Sequence, residues 1–390
     1  MIKFRKTASL AVVASLAAFS AGSAALADAE RLSTEIGDAP AAPVTYEITE
    51  IAAGLETAAS IAFLPSGDML VAEKAGRLRV IRDGELLTEP VSGVPEVHFR
   101  SQAGLFDVVL HPEFEENSTV YLSYAHPEGR RNTLRLARAR FEPTDDGGSL
   151  QDLEVIFTGE SWRTTSAHYG GRIAFLNDGT FLLTTGDGYR HREEAQKLDN
   201  HFGKIVRLND DGTVPADNPF VDTQDALPEI WSYGHRNPQG IVFDDKNDVV
   251  YAHEHGPRGG DEVNIIEKGN NYGWPVICYC IDYSGAQITP FSQMDGMEQS
   301  IVHYEPSIAP SGFAIYDGDH FPDWQGDLFI GALAHEHVRH IKLEGGQFGA
   351  QQEHFGDLGS RIRDVRVGPD GFMYVLTDKS DASVFRVSPR

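Results

Sequence analysis

Short apolar stretches recur along this chain in pairs, and a turn rich in Gly, Asp or Asn separates the members of most pairs. One such turn is Pro65-Ser66-Gly67-Asp68 and another is Asn177-Asp178-Gly179. Gly and Asn readily adopt the positive φ that tight turns need, so each pair predicts a β-hairpin. The six pairs are Ile61–Leu64 with Met69–Ala72, Val108–Leu110 with Val120–Leu122, Ile173–Leu176 with Thr180–Leu183, Ile241–Phe243 with Val249–Tyr251, Phe313–Tyr316 with Leu328–Ile330, and Val365–Val367 with Phe372–Val375.

Six hairpins at intervals of roughly 50 to 75 residues indicate the blades of a β-propeller. A single hairpin cannot bury both of its faces, whereas blades stacked around an axis bury them against one another. A β-sandwich is the main alternative, but it does not require the same hairpin six times. We therefore predict an all-β fold, a six-bladed β-propeller of four-stranded antiparallel blades, which forms a single domain over residues 45–390.

Two long stretches, Gly186 to Asp225 and His253 to Ser311, depart from this rhythm. The long connections of a propeller gather on one rim, and functional residues usually lie in such loops. We expect the functional site on the rim that carries these two stretches.

The N-terminus has the three-part pattern of a secretory signal. A basic segment, Lys3–Lys6, precedes an apolar run from Ala8 to about Ala21, and Ala25–Ala27 offers small residues for cleavage. The apolar run is shorter than the roughly 20 residues that a membrane span needs; an uncleaved anchor is the alternative. We predict a signal peptide at 1–27, a flexible lead-in at 28–44, no membrane span, and a periplasmic or secreted product.

The charge of the chain narrows the range of partners. It has 33 Lys and Arg against 58 Asp and Glu, a formal net charge of -25. Binding to phosphates needs a basic face, so no nucleic acid is expected as a partner.

Two cysteines, Cys278 and Cys280, are the only ones in the chain. A framework of several disulfides is therefore excluded, and the spacing and number of ligands do not fit zinc or thioredoxin-like chemistry. A Cys-x-Cys disulfide closes a tight, strained ring. A disulfide and two small buried thiols both remain open.

Polar residues that a β scaffold does not require concentrate in a few segments. His168 lies just before a predicted strand, and a neutral imidazole can remove a hydroxyl proton near physiological pH. Asp187 lies in a Gly-Asp-Gly turn and can hold that imidazole in one tautomer. The alternatives are a turn histidine bonded to a carbonyl and an aspartate that favours turns. The segments are Arg100–Asp107, Ala167–Ile173, Thr184–Gly188, Gly234–Gly240, His253–Asn264 and Asn271–Pro275.

In their order and combination these motifs resemble those of the soluble glucose/sorbosone dehydrogenases that depend on pyrroloquinoline quinone (PQQ), also called aldose sugar dehydrogenases. The resemblance runs from about Gly54 to Val387, and the combination is specific although each motif alone is weak. It implies a six-bladed propeller, in agreement with the hairpin count. It also implies oxidation of an aldose-type sugar with PQQ and calcium, and electron transfer to an external acceptor such as a cytochrome or quinone.

The resemblance assigns a role to each matching residue. His168 matches the general base, Asp187 the aspartate beside it, and Gln102 a glutamine that contacts substrate. PQQ carries three carboxylates, which arginine recognises through its planar fork. The residues matching cofactor contacts are Arg236, Asn237, Arg361 and Arg363. The carbonyls of Gly256 and Pro257 match ligands of a calcium ion. A second, structural calcium site of some members is matched by Asp261, Glu262 and Tyr272.

Other interpretations of the arginines and of the calcium segment remain open. Alternation places Arg361 and Arg363 on one face of a strand, where a solvent-facing basic stripe is the alternative. His253 and His255, together with Asp261 and Glu262, offer a competing transition-metal site, which the carbonyl-rich Gly-Pro and Gly-Gly turns make less favourable.

One position departs from the family pattern. Ala334 stands where these enzymes commonly place a lysine that contacts PQQ. His335 or a more remote cation can substitute for it. Because of this loss, a propeller that binds a ligand without catalysis remains an alternative. A calcium-dependent propeller lactonase is another, against which the excess of arginines argues.

Overall fold

The computed structural model describes residues 44–344 and 347–390. The signal peptide predicted for 1–27 lies outside these residues, as does the lead-in predicted for 28–44 apart from Val44. No helix in the described ranges is long and apolar enough to cross a membrane.

Strands dominate the described chain, and its helical segments are single turns. The helical segments are α1 (Phe114–Asn117) and three 3-10 turns at Arg192–Gln196, Pro322–Trp324 and Gly356–Leu358. The strands are β1 (Tyr46–Leu55), β2 (Ala58–Phe63), β3 (Met69–Glu73), β4 (Arg77–Arg82), β5 (Glu85–Leu86), β6 (Leu105–Leu110), β7 (Thr119–Glu128), β8 (Arg131–Pro143), β9 (Gly148–Thr158), β10 (Gly170–Phe175), β11 (Phe181–Thr185), β12 (Lys204–Leu208), β13 (Ile230–Tyr233), β14 (Pro238–Asp244), β15 (Val249–Glu254), β16 (Asp261–Ile265), β17 (Val302–Tyr304), β18 (Pro310–Ile315), β19 (Leu328–Ala332), β20 (Val338–Glu344), β21 (Gln347–His354), β22 (Ile362–Val367), β23 (Met373–Thr377) and β24 (Ala382–Pro389).

These strands form six four-stranded antiparallel sheets, which are the blades of a six-bladed β-propeller. The predicted fold class is confirmed. Blades 1 to 5 each use four consecutive strands, from β2–β5 to β18–β21. In blade 6, β1 pairs with β24 outside β23 and β22, and Tyr46 faces Pro389. The first described strand therefore closes the ring against the last.

The six predicted hairpins are confirmed as the two inner strands of the six blades. Four strands per blade were predicted, but the positions of the two outer strands along the chain were not. An inner strand such as β11 is buried at every position, whereas the outer strand β9 is exposed at four consecutive positions. Weaker apolar patterning explains why the outer strands are harder to recognise.

The apolar core lies between neighbouring blades. Leu70 and Val80 of blade 1 share one cluster with Leu122 of blade 2. Tyr121, on the opposite face of blade 2, packs in another cluster with Leu183 of blade 3. Because side chains alternate along a strand, each blade contributes one face to each of two clusters.

One edge of the ring, here called the upper rim, collects the starts of all first strands and the ends of all second strands. Antiparallel pairing places these ends side by side. The pairs of residues at this edge are Ala58 with Glu73, Leu105 with Tyr124, Gly170 with Thr185, Pro238 with Glu254, Pro310 with Ala332, and Ile362 with Thr377.

The two long stretches do not lie wholly on one rim, so that part of the prediction is wrong. Gly186 to Asp225 contains strand β12, which leads from the upper rim to the opposite rim. His253 to Ser311 contains β16 and β17. The segment between these two strands returns to the upper rim, where the Nε1 atom of Trp274 donates a hydrogen bond to Asp187 at 2.9 Å.

Candidate active site

A histidine and a carboxylate are in direct contact on the upper rim. His168 lies just before β10 and Asp187 follows β11, and the pairing of these strands brings both residues to the same end of blade 3. The Nδ1 atom of His168 lies 2.7 Å from Oδ1 of Asp187. Both side chains are buried. The pair is therefore shielded from bulk water and has a fixed geometry.

The surroundings determine the protonation states of the two groups. Burial opposes ionisation of Asp187, but the hydrogen bond and charge of His168 and the charge of Arg236 outweigh it and lower the pKa of Asp187. Burial lowers the pKa of His168, and the hydrogen bond with Asp187 only partly offsets this. A carboxylate can only accept, so the neutral imidazole must carry its proton on Nδ1. Nε2 then presents a lone pair, and the hydrogen bonds of His168 in the described chain use its backbone and Nδ1 instead.

The backbone of His168 is held in the left-handed region with φ of +54°. Its N–H donates to Oε1 of Gln102 at 2.8 Å, and its carbonyl accepts from Nη1 of Arg163 at 2.8 Å. A Cβ on Gly186 would lie 2.3 Å from the same carbonyl, so this close approach requires glycine. Strained backbone conformations persist where the surrounding structure imposes them, often at functional sites. These contacts fix the direction of the imidazole.

Asp187 accepts further hydrogen bonds from Trp274, which lies in a quoted motif but was given no role, and from Tyr189, which lies outside the motifs. Trp274 donates to Oδ2 at 2.9 Å through Nε1, and the N–H of Tyr189 donates to Oδ1 at 2.7 Å. The ring of Tyr189 meets that of His168 edge-on, with centroids 5.2 Å apart. The ring is half exposed, so one aromatic face borders the opening beside His168.

Arg236 connects this pair to the predicted calcium turn. Its backbone carbonyl accepts from the N–H of Asp187 at 2.8 Å. Its Nη1 atom donates to the carbonyls of His255 and Gly256 at 2.7 and 2.8 Å. The guanidinium lies 5.4 Å from the centre of the Trp274 ring. Arg236 is therefore an anchor of the turn as well as a buried cation near His168.

Asn237 and Asp261 brace the backbone around the site. The Oδ1 atom of Asn237 lies 3.4 Å from the N–H of Gly170, which donates to it. Asp261 is completely buried, and it accepts from the N–H of Gly256 at 2.8 Å and from Ser307 at 2.6 Å. Its carboxylate is thus used within the protein to hold the turn.

Glu262 and Glu254 place two carboxylates close together at a cleft. Burial, together with the charge of Glu254, raises the pKa of Glu262 to about 8. Glu254 accepts from Nδ1 of His235 at 3.0 Å and from the N–H of Arg236. Glu262 has one weak partner, the amide of Asn264 at 3.4 Å. The cleft has a volume of about 270 Å³, and its lining includes Glu254, Glu262, Gly256 and Pro257.

Tyr272 lines the same cleft but uses its hydroxyl group elsewhere. The hydroxyl donates to the carbonyl of Ile265 at 2.6 Å and accepts from the N–H of Glu267 at 2.8 Å. Its ring stacks on His235 with centroids 4.7 Å apart. A metal ligand at this residue would therefore have to be its backbone carbonyl.

Arg361 and Arg363 form a second cationic group at the upper end of blade 6. Both donate to Asp378, Arg361 at 2.7 Å and Arg363 at 2.9 and 2.7 Å. Arg361 also donates to the carbonyl of Leu333 at 3.2 Å. Arg363 lies in β22 and Arg361 directly precedes it, and both side chains reach the same side, where Asp378 lies. They share a single carboxylate, and Arg361 is largely exposed.

The structure offers little support for the transition-metal alternative. Among residues 44–344 and 347–390, no group of three or more His, Cys, Asp or Glu side chains is arranged to hold a metal ion. His255 is bonded through Nε2 to the carbonyl of Pro310 at 2.6 Å. The ring of His253 packs on Phe313 with centroids 4.8 Å apart. Cys278 and Cys280, whose state was left open, are joined as a disulfide at the edge of the cleft.

The structure brings seven of the twelve predicted site residues into one hydrogen-bonded network; Pro257, Glu262 and Tyr272 line the adjoining cleft, and Arg361 and Arg363 lie apart. The network contains His168, Asp187, Gln102, Arg236, Asn237, Gly256 and Asp261. Arg361 and Arg363 lie on the same rim, but bonds to other residues hold them.

Sequence reasoning missed Arg163, which lies outside the quoted motifs, and the role of Trp274, which lies inside one. Arg163 is buried over the ring of Tyr169 at 4.5 Å, and burial lowers its pKa to about 10. Its contact with the backbone of His168 joins residues only five apart, but no spacing rule predicts it.

This fold and constellation define a propeller with a buried histidine and carboxylate pair at the mouth and cations around it. The chain belongs to the glucose/sorbosone dehydrogenase family, whose model matches residues 55–386. It is 41% identical over 355 residues to the aldose sugar dehydrogenase of Escherichia coli, covering 90% of this chain and 95% of that protein. The apo crystal structure of the soluble E. coli aldose sugar dehydrogenase superposes with a TM-score of 0.85 at 39% identity, covering 89% of this chain and 100% of that one.

A PQQ-bound aldose sugar dehydrogenase from Streptomyces coelicolor is also similar. It superposes with a TM-score of 0.71 at 25% identity, covering 89% of this chain and 100% of that one. Family membership and these similarities support a sugar dehydrogenase, which is an oxidoreductase.

Proposed function

We propose that this protein oxidises an aldose-type sugar with PQQ and calcium as cofactors and passes the electrons to an external acceptor. The observation that carries the proposal is the His168–Asp187 contact of 2.7 Å on the rim, with Nε2 left as an acceptor. A base in this state suits removal of a hydroxyl proton. The basic start and apolar run of the N-terminus support the further proposal that the protein is exported to the periplasm or secreted.

His168 is the general base in this proposal. The sugar hydroxyl donates its proton to Nε2 of His168, and the imidazolium that forms is stabilised by Asp187, whose lowered pKa keeps it ionised. Gln102 is exposed and already holds the backbone of His168 through Oε1, so its amide Nε2 is left to orient a sugar hydroxyl. The exposed ring of Tyr189 shields the opening and offers an apolar face to the sugar.

PQQ, when bound, supplies an ortho-quinone that accepts the hydride lost by the sugar carbon. The donor set fits its three carboxylates, because buried or half-buried cations surround the mouth of a chain with a net charge of -25. Arg361 and Arg363 would hold acidic groups through their forks, and Arg236 would supply a further fork beside the base. Asn237 would support this side through its bond to the Gly170 backbone.

Calcium fits the cleft beside Arg236. Gly256 and Pro257 both line it, and calcium prefers hard oxygen ligands such as their carbonyls. Glu262, with its raised pKa beside Glu254, is a carboxylate that a nearby cation would stabilise in its charged form. Asp261 is already bonded to the Gly256 N–H and to Ser307, so it would fix the turn that presents those carbonyls.

A reconstitution assay tests the proposal. Apo-protein is mixed with PQQ and calcium, an artificial electron acceptor and a panel of aldoses, and reduction of the acceptor is followed. We expect sugar-dependent reduction that requires both cofactors. PQQ binding without any turnover would favour the ligand-binding propeller, and lactone hydrolysis with calcium alone would favour the lactonase.

A further inference from the structure

A lysine on the upper rim lies beside the arginine pair and has no part in the site described so far. Lys74 follows β3 directly, and the pairing of Ala58 with Glu73 places it at the upper end of blade 1. Its N–H donates to the carbonyl of Thr57 at 3.0 Å, and its carbonyl accepts from the N–H of Leu105 at 3.0 Å. The backbone of Lys74 is therefore fixed between blades 1 and 2.

The blade that carries Lys74 packs against blade 6, where the N–H of Ile61 in β2 donates to Oδ2 of Asp364 in β22 at 3.1 Å. The Nζ atom of Lys74 donates to the carbonyl of Ser101 at 3.1 Å, one residue before Gln102. Burial, together with the charges of Arg363 and Arg361, lowers the pKa of Lys74 to about 8, and the charge of Asp378 opposes this shift. These interactions place the ammonium group within the electrostatic reach of both arginines.

The group formed by Lys74, Arg361 and Arg363 has more positive than negative charge. Asp378 is bonded to both arginines. No carboxylate of the described chain lies within ion-pair distance of Lys74. Three cations therefore face one carboxylate at the mouth of a strongly acidic protein, an arrangement that favours an anionic ligand.

The same group borders the position at which the expected lysine is missing. Arg361 donates to the carbonyl of Leu333 at 3.2 Å, and Ala334 is the next residue. The N–H of Ala334 donates to the carbonyl of Ile308 at 2.9 Å, which fixes this loop at the top of blade 5. A cation from blade 1 and a cation at position 334 would thus both lie next to Arg361.

We propose that Lys74 binds a carboxylate of PQQ in place of the lysine that Ala334 lacks, so that Lys74, Arg361 and Arg363 together hold the acidic part of the cofactor. This inference rests on the proposed function. The competing explanation is structural: Lys74 only fixes the Ser101 loop and thereby positions Gln102.

The test is a titration of apo-protein with PQQ at excess calcium, followed by absorbance or fluorescence. Five proteins are compared: wild type, Lys74→Met, Lys74→Arg, Ala334→Lys, and the double variant Lys74→Met/Ala334→Lys. Losing one charge-assisted contact is expected to weaken PQQ binding about 10- to 100-fold in Lys74→Met. We expect Lys74→Arg to bind nearly as wild type does, and Ala334→Lys to restore most of the loss in the double variant.

Lys246→Met is the matched control, because Lys246 is exposed in the turn between β14 and β15 on the opposite rim. It should bind PQQ as wild type does. Thermal unfolding of each apo-protein checks that the fold is intact. Rescue by Ala334→Lys would not follow from a structural role at Ser101, since a cation in blade 5 does not rebuild that hydrogen bond.

The pH dependence of binding provides a second readout. With a pKa of about 8 in the apo-protein, Lys74 loses its charge as the pH rises, whereas arginine side chains in general keep theirs over this range. Asp378, whose pKa is lowered, stays ionised. Wild-type affinity for PQQ should then fall above pH 8, by up to about tenfold per pH unit. Lys74→Met should lack this fall.

Each outcome has one meaning. If wild type binds PQQ and Lys74→Met binds it equally well, or if Ala334→Lys fails to rescue the double variant, the assignment of Lys74 is wrong while the proposed function stands. If wild type itself binds no PQQ at excess calcium, the proposed function and this inference fall together.

Discussion

The candidate base illustrates how burial and hydrogen bonding compete at a single residue. Burial favours a neutral His168, and the short contact with Asp187 fixes which nitrogen carries the proton. The backbone clamp through Gln102 and Arg163 fixes the direction in which the other nitrogen points. Reactivity at this position therefore depends on contacts to the His168 backbone as well as on the ring itself.

The first prediction concerns the base itself. His168→Gln should leave PQQ binding nearly intact, because the ring is not among the cations of the site. Turnover should fall about 10²–10⁴-fold, the usual contribution of a general base. Steady-state rates measured beside a PQQ titration check this, and wild-type turnover in the variant would assign proton removal to another group.

A second prediction follows from the tautomer. In Asp187→Asn, the amide can donate to Nδ1 of His168, which places the ring proton on Nε2 and removes the acceptor. Turnover should fall about 10²–10⁴-fold, as in His168→Gln. In wild type, the lowered pKa of His168 should keep kcat/KM level as the pH falls through about 6.5, the ordinary value for histidine, with the decline below it. A decline centred above pH 6.5 would contradict the assignment.

At the scale of elements, the site consists of strand ends and the turns that follow them. The turn after β15 shows this best. Arg236, just before β14, donates to its carbonyls, and Asp261, at the start of β16, accepts from the Gly256 N–H on the far side. A glycine at 256 is needed because a Cβ there would lie 2.2 Å from the carbonyl of Gly259. Contacts within the protein therefore hold this turn.

A third prediction distinguishes a carboxylate that binds a metal, Glu262, from one that only holds the turn in place, Asp261. Glu262 has a pKa raised from 4.5 to about 8, so the folded state holds a proton that the unfolded state releases. Stability is therefore lost as the pH rises from about 4.5 to about 8. In calcium-free buffer at pH 8, Glu262→Gln should be more stable than wild type, with little difference at pH 4.5.

Asp261→Asn is the comparison for that experiment. It should lower thermal stability with or without calcium, because the amide of Asn cannot accept all the bonds that the carboxylate of Asp261 accepts. Added calcium should stabilise wild type but not Glu262→Gln if Glu262 is a ligand. Equal stabilisation of both by calcium would place the metal elsewhere.

The sequence predicted the inner strands of the blades but not the positions of the outer strands, and the difference has a physical reason. Inner strands such as β11 are buried on both faces and appear as continuous apolar runs, so their hairpins were identified. Outer strands such as β5, only two residues long, carry no period. Lys74 was missed because its proposed role depends on Arg361 and Arg363. These arginines lie far away along the chain and come close to Lys74 only when the ring closes.

For the whole molecule, the ring gathers residues from distant blades at one mouth. Lys74 belongs to blade 1, His168 to blade 3, Arg236 to blade 4 and Arg363 to blade 6. The chain runs from β1, which pairs with β24 in blade 6, directly into β2 of blade 1, and this pairing closes the ring between the two blades. The motifs predicted a set of site residues but not how these divide into two groups, because that division depends on the closure of the ring.

The last prediction concerns the stability of the ring with both cofactors. A ligand that contacts several blades binds only the closed ring, so it should raise the melting temperature of the whole molecule; at 100 times its Kd the stabilisation is about 2.7 kcal/mol. PQQ is anionic and calcium is a cation, so each should increase the affinity of the other, by the same factor in both directions. Melting curves of apo-protein with PQQ, with calcium and with both should show a shift for the pair larger than the sum of the single shifts.

Arg363→Met should lose most of the PQQ-dependent part of the shift, whereas His168→Gln should keep it. Additive shifts in wild type would mean that the two ligands occupy independent sites.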